Sequence, residues 1–398
     1  MGGTCTLKLE PSLEYRTKVD LFIEFRLNAG ILRLLNRRHS FLHAEIHAFM
    51  TNKLFKLLEQ KPVLLLDGAT GTNLFAMGLQ SGDSPEFWNV DHPDRIAKHY
   101  RSFIDAGSDV VLTNTFGGTA YRLKLHDGQD RVAELNVAAA RILCKEVEKS
   151  GREVVVAGSM GPTGEILEPA GSVSIELAQA AFEEQALALK EGGVDVLWIE
   201  TISSIEESHA AIRGASVAGL PIVLTLSIDT NGRTMMGVTA ADLVNLQKKL
   251  DVPLMAFGTN CGVGAAEVVA AIMNMSKTAK ENGTTPVLVA KGNCGIPEWV
   301  GGEIRYSGTP ELMANYAKMA IDSGARIIGG CCGTTPGHVA SMRAAIDEHI
   351  KGQTPAIEDV IAELGSVTAG AQAQLNGDQS VEGGAVNKSR RAGRTRRR

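Results

Sequence analysis

Hydrophobic positions along the chain fall into two alternating patterns. Eight short, nearly continuous apolar runs recur: VLLLDGA (63–69), DVVLTNTF (109–116), EVVVAGSMG (153–161), VDVLWIET (194–201), PIVLTLSI (221–228), PLMAFGTNC (253–261), PVLVAKGN (286–293) and ARIIGGCC (325–332). Runs without polar alternation suit parallel strands covered on both faces. Between them lie segments with apolar residues at helical spacing. HPDRIAKHYRSFIDAG places Ile96, Tyr100, Phe103 and Ile104 on one face, and SIELAQAAFEEQALALKEGG stops at Gly192 and Gly193. TPELMANYAKMAIDSG and TPGHVASMRAAIDEHI each open on Thr-Pro, an N-cap followed by a first-turn proline. Strands alternating with helices in this way predict an α/β fold, a (β/α)8 TIM barrel over residues 56–352. An open doubly wound sheet is the structural alternative.

The two ends break the rhythm. Residues 1–55 read as a flexible N-terminal extension outside the core. The apolar and basic residues from Ile31 to Phe41 suggest an amphipathic, transit-like helix, against which the neighbouring acidic residues count. From residue 353 the chain turns to Ala, Gly, Gln and Ser and ends SRRAGRTRRR. Such a composition buries little, so 353–398 is expected to be a disordered, arginine-rich tail. Its arginines read as a solvated tail, with nucleic acid or acidic partners as the alternative.

Composition narrows the class. The 398 residues are 44% hydrophobic and 21% charged, with a formal net charge of −5, which does not advertise nucleic-acid binding by the fold as a whole. No run approaches the ~18 apolar residues of a membrane span. Residues 1–50 lack the compact apolar core and cleavage site of a secretory signal. Six cysteines (5, 144, 261, 294, 331 and 332) are too few for a disulfide scaffold in a chain of this length, so a cytoplasmic, reducing setting is expected.

The chemistry collects at strand ends, where a barrel keeps its active site. Strand one ends in Asp67-Gly68-Ala-Thr70-Gly71, strand two in Thr113-Asn114-Thr-Phe116, strand three in Ser159-Met-Gly-Pro and strand four in Glu200-Thr201. Strand six ends in Asn260-Cys261-Gly and strand eight in Cys331-Cys332-Gly. Strands six and eight flank a single strand, so Cys261 is expected to reach a point shared with Cys331 and Cys332. Three thiolates suit Zn²⁺, with Zn–S near 2.3 Å, and three protein ligands leave a fourth position open, the catalytic arrangement. The competing readings are a vicinal disulfide, disfavoured where thiols stay reduced, and small inert buried residues. Cys144, within a helix, reads as inert, and Cys294 as a neighbour of the site.

Taken together, DGATGTNL, TNTFGG, GSMGPTGE, WIET, TNCGVG and GGCCGTTPGHV resemble the homocysteine S-methyltransferase family, which includes betaine–homocysteine methyltransferases and the homocysteine-binding module of cobalamin-dependent methionine synthase. The resemblance covers about residues 60–350. It implies a (β/α)8 barrel, Zn²⁺ held by Cys261, Cys331 and Cys332, and homocysteine as methyl acceptor, giving methionine. It also implies that Asp67 and Glu200 bind the homocysteine amino group. Backbone N–H groups around Gly68–Gly71 and Ser159–Gly161 are expected to hold the carboxylate. The chemistry is coherent: a thiol of pKa about 8.5 is mostly protonated at neutral pH, and coordination by zinc makes it a thiolate nucleophile.

The methyl donor is less legible. Trp88, in SPEFWNVDHP, is similar to the tryptophan-bearing loop of the betaine enzymes, and Phe87, Phe116 and Tyr121 could join it around a quaternary ammonium. Gly117, however, stands where mammalian-type betaine enzymes carry a tyrosine. Betaine is the first expectation, with S-methylmethionine and dimethylsulfoniopropionate as other onium donors. Beside a barrel of this size the chain has no room for cobalamin and folate modules, so a methionine-synthase chemistry would need a separate corrinoid protein at the barrel mouth. A noncatalytic zinc- or RNA-binding protein is the alternative of another class. The outer helices do not disclose an oligomer surface.

Overall fold

The structure, a computed structural model, describes residues 52–380 apart from 229–230 and 301–302. Eight parallel strands form one sheet: β1 (Leu64–Leu65), β2 (Val110–Leu112), β3 (Val155–Met160), β4 (Val196–Ile202), β5 (Ile222–Leu226), β6 (Ala256–Cys261), β7 (Leu288–Gly292) and β10 (Ala325–Gly330). Their order is β1-β10-β7-β6-β5-β4-β3-β2. A parallel bridge between Leu66 and Val110 joins the two ends, and the Asp109 N–H donates to Leu65 O at 2.7 Å. The sheet is therefore a barrel, and each of the eight strands falls on one of the eight apolar runs, β4 extending one residue beyond its run. A two-stranded antiparallel hairpin, β8 (Pro297–Val300) and β9 (Glu303–Tyr306), rises between β7 and β10 and has no counterpart in the sequence pattern.

Helix α1 (Lys53–Gln60) precedes the barrel, and α2 (Gly71–Ala76) follows β1. The outer ring is α3 (Pro93–Asp105), α4 (Val132–Ser150), α5 (Ile175–Gly192), α6 (Ile205–Ser216), α7 (Ala240–Leu246), α8 (Ala265–Glu281), α9 (Pro310–Ser323) and α10 (Pro336–Glu348). The local signals act as the pattern predicts. Ile96, Tyr100, Phe103 and Ile104 are buried in α3, Gly193 ends α5 in the left-handed region (φ 97), and the Thr309 side chain caps α9.

Two apolar layers result. One fills the barrel interior with Leu64, Leu66, Val110, Leu112, Val155, Trp198, Val223, Val289 and Ile327. Leu54, Leu57 and Leu58 of α1 join it, so α1 plugs the end of the barrel opposite the site. Lys53 secures the plug to Asp195 at 2.8 Å, just before β4, and Lys61 reaches Asp109 at 2.6 Å, just before β2. The expected boundary at residue 55/56 falls inside α1. The second layer lies between strands and outer helices.

The chain beyond residue 352 corrects an expectation. Residues 353–380 are not a disordered tail: α11 (Ile357–Leu364) and α12 (Ala369–Leu375) dock on the barrel. Val360 is fully buried, and the buried Glu267 carboxylate of α8 accepts from the N–H and hydroxyl of Thr368 at the start of α12. An Ala- and Gln-rich sequence binds here because its few apolar residues fall on one face, Ile357, Val360, Ile361 and Leu364. The arginine-rich end, Cys5 and the Ile31–Phe41 stretch lie outside the described residues. Among the described residues no helix is long and apolar enough to cross a membrane.

Candidate active site

The mouth at the C-terminal ends of the strands gathers the thiols. The Sγ atoms of Cys261, Cys331 and Cys332 lie within 4.8 Å of one another, and Cys261 Sγ stands 4.0 Å from Cys332 Sγ. Backbone departures from strand geometry bring them together. Cys261, the last residue of β6, has φ 63, a left-handed value that a non-glycine side chain adopts at a cost. Cys331 still continues the ladder, its N–H donating to Gly292 O at 2.7 Å. The chain then turns, with Thr334 N–H donating to Cys331 O at 3.1 Å and Gly333 at φ 78. Regular strand geometry would send two successive thiols to opposite faces. The turn places both on one side. Gly333 also lets the Tyr306 ring pack closely, since a Cβ there would meet that ring at 2.3 Å.

The thiols are mutually hydrogen-bonded. Hydrogen bonds from the Cys261 and Cys331 thiols draw Cys332 below the ordinary thiol range, against its burial, and the Tyr306 hydroxyl adds another. Cys261 shifts far upward, through its hydrogen bonds to Cys331 and Cys332 and through burial. The donor set fits zinc on geometry as well as softness: two sulfurs about 2.3 Å from one tetrahedral centre stand about 3.8 Å apart. Cys294 is buried next to the group but not in it; its N–H donates to Cys332 O at 2.9 Å and its thiol to Gly308 O. Cys144 lies on α4 with its thiol toward Gly193 O.

Below the thiols sits a buried charged triad. Asp67 is 1% exposed, Glu200 6% and Lys291 5%. Lys291 Nζ lies 3.2 Å from Glu200 Oε2 and 3.8 Å from Asp67 Oδ1. The other Glu200 oxygen accepts from Ser159 Oγ at 2.6 Å, and Asp67 Oδ2 accepts from the Leu112 N–H at 2.8 Å. Asp67 Oδ1 has no hydrogen-bond partner. Burial pushes the Asp67 carboxyl up to about 7, although Lys291 and the Leu112 N–H oppose the rise. Burial alone would lower the Lys291 pKa, but Glu200 and Asp67 outweigh it and hold the ammonium firmly charged.

The remaining expected site residues divide into two groups. Asn260 stands at the thiols, its Nδ2 3.9 Å from Cys331 Sγ. Thr70 and Gly71 open α2, and Gly68 is packed where a Cβ would meet Thr334 O at 2.7 Å. Asn114 spends its side chain on Pro85 O and Asn89, tying the loop after β2 to the segment after α2. Phe116 is 37% exposed. Trp88 is buried in the outer layer, with the Arg95 guanidinium 4.8 Å over its ring. Gly117 has a reason of its own: its N–H donates to the buried Glu86 at 2.6 Å, and a Cβ there would lie 2.9 Å from the same carboxylate. Sequence reasoning missed Lys291 and Tyr306. Lys291 carried a signal, a lone charge ending an apolar strand; Tyr306 carried none.

Comparisons with known proteins place the chain among relatives. The family described as Homocysteine S-methyltransferase matches residues 64–346. Methionine synthase of Mycobacterium tuberculosis is 31% identical over 319 residues, covering 76% of this chain and 26% of that protein. The Mycobacterium leprae methionine synthase is 30% identical over 328 residues, covering 78% of this chain and 26% of that protein. The chain thus spans 26% of the length of these curated relatives. Among solved structures, the metallated form of the homocysteine methyltransferase MmuM from Escherichia coli superposes with a TM-score of 0.61 at 25% identity, covering 74% of this chain and 99% of that one.

Proposed function

Because the chain belongs to the homocysteine S-methyltransferase family, we propose that this methyltransferase moves a methyl group from a cationic donor, betaine first, to the sulfur of homocysteine, giving methionine. The convergence of the Cys261, Cys331 and Cys332 thiols at the barrel mouth carries the reading. These three residues would hold Zn²⁺. Bound there, zinc would supply an open coordination position at which an acceptor thiol loses its proton near neutral pH.

The protein's own residues do the rest. Asp67 and Glu200 present carboxylate charge to the acceptor's ammonium. Asn260 holds the end of β6, and with it Cys261, against β4 and β5. The barrel fixes the line of approach between sulfur and methyl, which removes the entropy cost of bringing two reactants together. Phe116, the exposed aromatic at the end of β2, offers a ring face to an onium methyl. Trp88 does not, since Arg95 covers its ring.

A second reading concerns the donor. The chain spans 26% of the methionine synthases it resembles, and a corrinoid protein is the methyl carrier that this likeness suggests at the same mouth. The test is methionine formation by zinc-loaded full-length protein with betaine, S-methylmethionine or dimethylsulfoniopropionate as sole donor, and with methylcobalamin in a parallel reaction. Turnover with an onium compound supports the first reading. Turnover with methylcobalamin alone moves the assignment to the second, and none with any donor sinks both. The noncatalytic alternative rests on an arginine tail outside the described residues and gains nothing from this site.

A further inference from the structure

We propose that Tyr306 keeps the site from methylating itself: its hydroxyl holds the Cys332 sulfur by a hydrogen bond and makes it a poorer nucleophile than the acceptor's sulfur. This rests on the three thiols holding zinc beside an acceptor thiol, and it gives the β8–β9 hairpin a task that no motif of the chain suggests.

The argument begins with a chemical hazard. A site built from Cys261, Cys331 and Cys332 sets three protein sulfurs next to the one that reacts. An onium methyl meeting Cys332 would gain a bond to its sulfur as the donor's bond to that carbon breaks, the electron pair leaving with the donor. The product is a neutral thioether, a ligand stripped of its charge. The protein sulfurs must therefore be quieter than the acceptor's. A hydrogen bond does this, because it stabilises the anion and a thiolate so stabilised attacks more slowly.

Tyr306 is the last residue of β9, and the foot of its hairpin is fastened to the cysteine turn. The Cys294 N–H donates to Cys332 O at 2.9 Å, and the Gly308 N–H donates to Cys294 O at 3.0 Å. The Cys294 thiol donates back to Gly308 O at 3.2 Å, and His338 Nε2 stands 3.3 Å from the same oxygen. Gly308 lies two residues past Tyr306, so these bonds tie the tyrosine to Cys332 through Cys294. Gly333, next to Cys332, leaves a bed for the ring: a Cβ there would meet Tyr306 Cγ at 2.3 Å. Seated on it, the hydroxyl bonds the Cys332 sulfur. Packing on Gly333 asks only for a ring, which phenylalanine would supply. The hydroxyl answers to the sulfur, as a partner of a metal ligand that tunes its basicity.

The test is alkylation of zinc-loaded, dialysed full-length protein by methyl iodide without homocysteine, read as the mass of each cysteine peptide over time. Methyl iodide is small and needs no donor site. Tyr306→Phe keeps the ring and its packing on Gly333, so the fold is not at stake. In this variant Cys332 should be methylated roughly 3- to 10-fold faster than in wild type, the range of one hydrogen bond, while Cys261 keeps its rate. Zinc, followed with a chromogenic chelator, should leave the variant in step with Cys332 methylation. Equal Cys332 rates in the two proteins would overturn the proposal. An equal gain at Cys261 and Cys332 would overturn it too, since that marks a loosened site rather than a lost hydrogen bond. Wild type that keeps no zinc through dialysis sinks the proposed function and this inference together. Wild type that keeps zinc and shows the contrast at Cys332, yet makes no methionine from any donor, sinks the proposed function alone.

Discussion

Asn260 holds Thr201 by two hydrogen bonds across the intervening strand β5. Its Oδ1 accepts from the Thr201 N–H at 2.9 Å, and its Nδ2 donates to Thr201 Oγ1 at 2.8 Å. The same Oδ1 accepts from Thr225 Oγ1 of β5 at 2.7 Å. Thr201 (φ 67) follows Glu200 and Cys261 (φ 63) follows Asn260, so one amide secures two left-handed residues that aim a carboxylate and a thiol. Such backbone positions cost of order 1–3 kcal/mol each and persist only where the surroundings impose them. Asn260→Ala should therefore lower stability by roughly 2 kcal/mol in urea unfolding. It should also weaken zinc retention, read by competition with a chromogenic chelator. Unchanged zinc affinity would remove Asn260 from the support of the thiols.

The thiol trio makes a sharper prediction. Cys261→Ser, Cys331→Ser and Cys332→Ser should each abolish tight zinc binding, measured as metal content after dialysis, and methyl transfer should fall with it. Cys294→Ser, next to the cluster but outside it, should keep its zinc. Full activity in any of the first three variants would falsify the metal assignment.

Asp67 imposes a pH dependence. Its carboxyl is raised to about 7 by burial, and it must be ionised to pair with an ammonium. Affinity for homocysteine should fall as pH drops below about 7. Near pH 6 binding should release a proton, because a bound ammonium favours the carboxylate; calorimetry in buffers of different ionisation enthalpy reads this directly. The stability sign is opposite. A carboxyl raised in the folded state disfavours folding once it must ionise, so its effect erodes stability as pH climbs from the ordinary carboxylate value toward 7. Asp67→Asn should flatten both profiles.

Glu200 and Lys291 form a buried ion pair at 3.2 Å. Removing one partner strands the other in low dielectric. Glu200→Ala should thus destabilise by about 3–5 kcal/mol, whereas truncating the exposed Glu191 of the Arg141 pair should cost less than about 1 kcal/mol. Denaturant midpoints of the two variants provide the comparison.

The C-terminal helices can be tested by packing alone. Val360 of α11 is fully buried. Val360→Ala should cost roughly 1–3 kcal/mol, and truncation after residue 352 should lower Tm further by uncovering apolar surface on α8 and α9. A truncated chain as stable as the full one would show that α11 and α12 merely rest on the barrel.

The strands, the outer helices and the three cysteines were legible in the sequence because their signals are local. Burial on both faces makes a parallel strand apolar throughout, Thr-Pro and Gly punctuate helices, and a barrel sends strand ends to one mouth. Once the eight runs are counted, Cys261, Cys331 and Cys332 must share that mouth. What the tertiary structure alone decided depends on distances across the barrel. Lys291 looks like one charge ending β7, and only barrel closure brings it between Glu200 of β4 and Asp67 after β1. Tyr306 reaches Cys332 from a hairpin that no periodicity announces. Trp88 reads as a free aromatic but is covered by Arg95, seven residues along on a helix whose packing angle is not a local property. Residues 353–380 look too polar to fold, and they fold because α8 and α9 offer a surface for the few apolar side chains they have. Local periodicity dictates which elements form; long-range packing dictates which side chains meet.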